Sequence, residues 1–361
     1  MRTPGTISRR FISIACGCLI KIMRRIYYSV EKILYPIVAS IGIPVNLVAI
    51  LILSRGKCGL STSTTRYLLA MATADLLVII SEVILRQVNY HYFPMNILDI
   101  TGVCIARRIL RRVSTDFSVW FTVTFTFDRF VAICCQTLKT KYCTGKTATL
   151  VLVTTGILFC LKNVPFCFAY MPRVIVNNRT WFCQLKPSYF TDPAWVVLDW
   201  VDRIATPLVP FVLILLFNAL TVRLIWMSGR VRQGLRGRRK GESPKDTEME
   251  SRRRSVLLLF TLSGSFILLW MTNVVEFFYY QITGSDVNES EYVFHQVGSL
   301  LKNVSCCTNM FIYVATQSRF REELKSAVKY PVRSAFHFLK KYTPWARLRV
   351  HCRGSTPGCS E

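Results

Sequence analysis

Apolar residues in this chain gather into seven long runs, roughly 33–53, 67–88, 109–135, 147–170, 196–226, 256–280 and 292–315, divided by short polar stretches. An α-helix rises 1.5 Å per residue, so about 20 mostly apolar residues cross a hydrocarbon layer roughly 30 Å thick. The pattern therefore predicts an all-α membrane protein, a bundle of seven transmembrane helices. The first run, ILYPIVASIGIPVNLVAILIL, carries no charge. The third contains Arg111, Arg112 and Asp116 and qualifies through its length and its apolar second half. Beyond the seventh, Phe320, Leu324 and Val328 recur at i, i+4 and i+8, the stripe of a short amphipathic helix lying on the membrane. The expected organisation is an N-terminal segment 1–30, a bundle 31–317, an amphipathic helix 318–332 and a tail 333–361.

Composition agrees. Of 361 residues 52% are hydrophobic and 18% charged, whereas soluble domains carry about 25% charged residues. The formal charge of +26 would suit nucleic acid on a polar domain, but here the bases lie between apolar runs, where they face lipid headgroups; nucleic acid is not an expected partner. Loop 228–255 holds ten Lys/Arg against four acids, and the chain from 318 onward ten against three. Loop 281–291 has Asp286, Glu289 and Glu291 and no base. The excess of bases marks the cytoplasmic side, so the C-terminus is expected inside and the N-terminus outside. The glycosylation sequons at Asn178 and Asn288 fall in loops this topology places outside; a third, at Asn303, lies within a span. Residues 1–25 carry six bases around a short apolar run, 11–20. That segment reads as a signal-like stretch, an interfacial helix or an extension upstream of Met23.

Several short motifs fall in a fixed order on these spans: Gly42-Ile-Pro-Val-Asn46 on the first, Asp75 on the second, Asp128-Arg129-Phe130 closing the third, Leu269-Trp270 on the sixth and Asn309-Met-Phe-Ile-Tyr313 on the seventh. Cys104 precedes Arg129 by 25 residues. Together, across roughly 31–330, they resemble the rhodopsin-like (class A) G-protein-coupled receptors. Trp120, the absence of tryptophan from the fourth span, and Asn218 eight residues after Pro210 are most similar to an orphan subgroup responsive to tryptophan and phenylalanine. Two departures stand out. Trp270-Met-Thr272 replaces Trp-x-Pro, and Asn309-Met310 replaces Asn-Pro, so spans six and seven are expected to be straighter, or bent by Ser, Thr or Gly.

The resemblance implies roles. Arg129 would meet the C-terminal helix of a Gα subunit once span six swings outward, with Asp128 holding it at rest, and Phe130, Tyr313, Asn309 and Trp270 would belong to the same switch. Where many relatives place an acid at the base of span six, this chain has Arg252-Arg253-Arg254. Asp75 with Ser118, Ser305, Asn309 and Asn46 would form the family's sodium pocket; the other reading is a protonated or water-bridged carboxyl. A Cys104–Cys183 disulfide would pin loop 171–194 over the outer end.

That outer end is unusually ionic. Arg107, Arg108, Arg111 and Arg112 cover an arc of about 140° on one helix. Three acid–base pairs stand four residues apart: Glu82 with Arg86, Arg112 with Asp116, and Asp199 with Arg203. Two readings stay open: mutual neutralisation within each helix, or a pocket for a zwitterion or a peptide end, lined by Arg111, Arg112, Asp116, Trp270, Asn273, Glu276, Ser299 and Lys302. In the second, Arg111 takes a carboxylate and Glu276 an ammonium. Lys302 lies one residue from the retinal lysine of opsins, about 100° around the helix, which argues against a photopigment. No inverted repeat supports a transporter or channel, and with four His and no His-Glu-x-x-His an enzyme is not expected. No cofactor is implied beyond the sodium ion.

Overall fold

The computed structural model describes the backbone of residues 4–236, 246–283, 289–327 and 329, and the side chains of 28–227, 253–276, 278–279, 294–327 and 329. Seven long helices follow the seven apolar runs. Span 1 is Pro4–Ser54, so the backbone from residue 4 is continuous with the first membrane helix. Span 2 opens at Thr62 under the Ser61 side chain, which caps the Thr64 amide. It is α-helical to Val78, widens to a π-helix over Ile79–Val88 and ends at Tyr92. Span 3 is Thr101–Cys134 and span 4 Gly145–Asn163, the latter capped by Thr144. Span 5 runs from Pro193 to Arg236, broken at Ile204–Leu208, where Thr206 (φ −151, ψ 105) leaves helical geometry ahead of Pro207. Span 6 is Asp246–Thr283 and span 7 Glu289–Thr316. Both are continuous helices; among the described residues the irregular turns lie in spans 2 and 5.

Among the described residues six helices are long and apolar enough to cross a membrane, by length and composition alone. Span 7 carries Gln296, Ser299, Lys302, Asn303 and Ser305, and it packs between spans 1 and 6, where those polar groups meet protein rather than lipid. Span 4 is the opposite case. Its buried residues are Ala148 and Asn163, while Leu150, Val153, Ile157, Leu161 and Val164 face outward, which suits a lipid environment. Within the bundle Tyr67, Leu68, Met71, Phe125, Leu258 and Tyr313 form the half of the core nearest Phe320. Contact between such helices rests on close packing and interhelical hydrogen bonds, since lipid is as apolar as leucine. The helical stretch 318–327 seats Phe320 fully buried against Tyr313, with Leu324 on the same cluster. Val328 and the tail 333–361 lie outside the described residues.

Between spans 4 and 5 a hairpin pairs β1 (Tyr170–Val176) with β2 (Arg179–Leu185). Its turn residues Asn177 and Asn178 take φ of 50° and 59°, the left-handed conformation that two-residue hairpin turns require and asparagine tolerates. Cys183 is disulfide-bonded to Cys104 with a Cα–Cα distance of 5.9 Å. Thr101 donates to the Phe182 carbonyl and Arg108 to that of Cys183. The bridge joins residues 79 apart, and its removal is expected to cost ~2–4 kcal/mol. Thermal melts of the detergent-solubilised protein should show Cys104→Ala, Cys183→Ala and the double variant destabilised to the same extent. Additive losses would mean that something other than the bond is being lost.

Candidate functional site

Polar side chains run down the bundle axis in three groups. At the basic end, the last turns of span 3 approach the first turn of span 2. Ser63 Oγ donates to Asp128 Oδ1 at 2.8 Å, and Arg129 donates to Asp128 Oδ2 through Nε at 3.0 Å and through Nη2. Asp128 and Arg129 are both buried, so each satisfies the other's charge-assisted bonds. Below them opens a cavity of about 630 Å³ lined by Arg129, Lys139, Arg254, Leu258, Gln317 and Arg319, among others. Ser63, which sequence reasoning did not pick out, completes the pair. Cys143 in the adjoining loop donates to the Asp128 carbonyl; burial, and then the Asp128 charge, push its thiol up to about 11, so it remains a neutral donor. Phe130 points away from the cavity and stacks on Phe217 of span 5. Tyr313 is buried edge-on against Phe320, and its hydroxyl has no hydrogen-bond partner among the described residues. Arg252's side chain lies outside the described residues.

In the middle, Asp75 accepts from Ser118 Oγ and Asn309 Nδ2, both at 2.6 Å. The carboxyl borders a cavity also lined by Ser118, Thr122, Ser265, Ser305 and Asn309. One carboxylate among neutral oxygens is a donor set that fits a hard monovalent cation. Ser305 lines that cavity without touching Asp75: its hydroxyl donates to the Lys302 carbonyl at 2.7 Å and accepts from Trp270 Nε1 at 3.2 Å. Asn46 is spent on the Gly42 and Cys306 carbonyls. Trp270 stacks on Phe266 at 5.2 Å, so its indole joins the middle group to the outer one.

The outer end divides into two ionic clusters. One joins spans 3, 4 and 5. Lys162 bridges Asp116 at 2.8 Å and Asp202 at 2.7 Å, Asp202 also binds Arg112, and Asp116 accepts from Asn163 at 2.6 Å and Thr206 at 2.8 Å. Arg112 and Asp116 therefore do not pair with each other. Sequence reasoning missed Lys162 and Asp202, although a lysine closing an otherwise apolar span is a signal in itself. The second cluster joins spans 2, 3 and 7. Glu82, fully buried, bonds Arg86, meets Arg111 Nε at 3.3 Å and lies within electrostatic reach of Lys302. Asn273 donates to the carbonyl of Gly298 at 3.1 Å, a close approach in which a Cβ at Gly298 would press on the Asn273 side chain, and Ser299 is buried nearby in sequence. Glu276 pairs with His295, so the carboxylate assigned to an ammonium already has a partner. Asn178 is exposed at the hairpin tip; Asn288 lies outside the described residues.

A seven-helix membrane protein with a disulfide-tied hairpin at one end, a buried acid at mid-depth and an Asp-Arg pair over a basic cavity at the other has the anatomy of a polytopic receptor. The sequence profile described as "7 transmembrane receptor (rhodopsin family)" matches residues 45–313. The chain belongs to that family, whose members are receptors and not enzymes. It is 24% identical over 303 residues to the tachykinin-like peptides receptor 86C of Drosophila melanogaster, covering 81% of this chain and 57% of that one. To the FMRFamide receptor of the same organism it is 22% identical, over 82% of this chain and 53% of the relative. To the human growth hormone secretagogue receptor type 1 it is 27% identical, over 64% and 61%. The chain thus spans little more than half the length of the curated relatives it matches.

Proposed function

We propose that this protein is a plasma-membrane receptor that couples an extracellular peptide or small zwitterionic ligand to heterotrimeric G proteins. The observation that carries this is the buried Asp128–Arg129 pair roofing a cavity of about 630 Å³ with basic walls from spans 3 and 6 and the 318–327 segment. Ligand binding at the outer end favours a conformer in which the base of span 6 moves outward and Arg129 meets Gα. The ligand can shift that balance only by its differential affinity for the two conformers. The names of the relatives support a peptide; the Trp120 and Asn218 resemblance supports an aromatic amino acid. The disulfide at one end and the basic loops at the other support an outside N-terminus and a cytoplasmic tail.

The test is nucleotide exchange. Purified protein in nanodiscs should accelerate GTP analogue uptake by at least one Gα class relative to empty nanodiscs, and failure with every class would remove the proposal. Asp75 gives a second handle. Replacing potassium by sodium at constant ionic strength should lower that basal exchange in the wild type and leave Asp75→Asn unaffected. An equal sodium response in both would dismiss a cation at Asp75.

A further inference from the structure

We infer that the ligand presents a carboxylate to the cluster of spans 2, 3 and 7, with Arg111 and Lys302 receiving the free α-carboxylate of an amino acid or of an unamidated peptide. This rests on the receptor reading above and narrows its ligand class. The argument is a count of charges. The cluster of spans 3, 4 and 5 is balanced: Arg112 and Lys162 face Asp116 and Asp202. The neighbouring cluster is not: Arg86, Arg111 and Lys302 converge on Glu82, and the second carboxylate within reach, Glu31, acts on Arg86, which leaves one cation in excess.

Glu82 is already hydrogen-bonded by Arg86. Arg111 approaches it at 3.3 Å without hydrogen-bond geometry, and its Nε is left with no acceptor. Among the described residues the Lys302 ammonium donates no hydrogen bond. Glu82 Oε2 is likewise without a hydrogen-bond partner, so Arg111 meets it as an ion pair only; the guanidinium and the Lys302 ammonium keep donors unused beside one another, and the Arg111 side chain keeps 26% of its surface open. A partly desolvated cation pair of this kind is completed by an anion with two oxygens.

The outer carboxylates point the same way. Asp99 is taken by Arg107, Asp199 by Arg203 and Tyr189, Asp202 by Arg112 and Lys162, and Glu276 by His295. Asp192 caps the start of span 5, and Glu31 is buried against His91. The exposed acids among these are each engaged by a cation or a backbone cap, and Glu31, whose Oε1 has no hydrogen-bond partner, is buried, so this end offers a carboxylate more than it offers an amine.

Four probes test this on the purified receptor by thermal shift at millimolar concentration: N-acetyl-phenylalanine, its amide, the tripeptide Ala-Ala-Phe, and the amidated tripeptide. The acids should raise the unfolding midpoint and the amides should not. If only the tripeptide acid acts, the carboxylate is a peptide terminus; if both act, a single amino acid suffices. In Arg111→Gln and in Lys302→Gln the acid concentration for half the shift should rise roughly tenfold or more. Amides as effective as acids, no shift with any probe, or unchanged acid sensitivity in both variants would overturn the inference. The acid–amide comparison on the wild type needs no variant, so a poorly folding variant does not spoil the test. Nucleotide exchange is read on the same preparation without probe: exchange with no acid preference removes only this ligand class, and acid preference without exchange removes the receptor reading.

Discussion

Asp128→Asn is expected to raise ligand-independent nucleotide exchange about tenfold, and Arg129→Ala to reduce it to the level of empty membranes. The resting position of Arg129 is held by Asp128, with Ser63 supporting both. Hydrogen bonds to a charged group are worth about 1.5–3 kcal/mol, and 1.4 kcal/mol is a factor of ten in an equilibrium. Weakening that pair therefore moves the conformational balance by about an order of magnitude if it exists only in the resting form. Among the described residues no second acid lines the cavity; span 6 brings Arg254 to its wall, and two guanidinium groups repel. The same absence predicts measurable basal exchange in the wild type. Exchange in Asp128→Asn at or below wild type, at matched folded amounts, would show that the pair is structural. Retained exchange in Arg129→Ala would show that Arg129 is not the contact.

The helical runs were legible because a membrane leaves the backbone one way to satisfy itself within a single segment, and length and apolarity report it. Side-chain partners were harder, and the three acid–base pairs show why. Glu82 with Arg86 and Asp199 with Arg203 form as the spacing suggested; both place the acid first, the order that suits the helix dipole and the tilt of the side chains. Arg112 with Asp116 has the reverse order, and each finds a better partner on another helix. Those partners come from spans 4 and 5, and a cross-helix meeting depends on helix rotation, which periodicity fixes only loosely. Ser305 failed to reach Asp75 for a related reason: its hydroxyl is claimed by the Trp270 indole and its own preceding turn. The missing prolines left open straighter spans 6 and 7 or a bend made by Ser, Thr or Gly; both helices are continuous. That the irregular turns would move to Ile79–Val88 and Ile204–Leu208 had no signal beyond Pro207.

Lys162→Met is expected to be the most destabilising single change at the outer end, by ~3–5 kcal/mol. Lys162 is shared: it closes on Asp116 and on Asp202, and without it Asp116, 3% exposed, keeps only the neutral donors Asn163 and Thr206. Arg112→Met should cost less, because Asp202 would still hold Lys162. Neutralising the stranded acid as well removes most of the penalty. Lys162→Met with Asp116→Asn should melt well above Lys162→Met alone, with a coupling of about 1–3 kcal/mol between the two sites. The reverse order is instructive too, since Asp116→Asn alone leaves Lys162 paired to Asp202 and should be the milder lesion. Melts of the four proteins in one detergent decide the matter. A double variant no more stable than Lys162→Met would mean that the lysine is felt through its packed stem rather than its charge, and the quartet would then be a product of the fold and not a support of it.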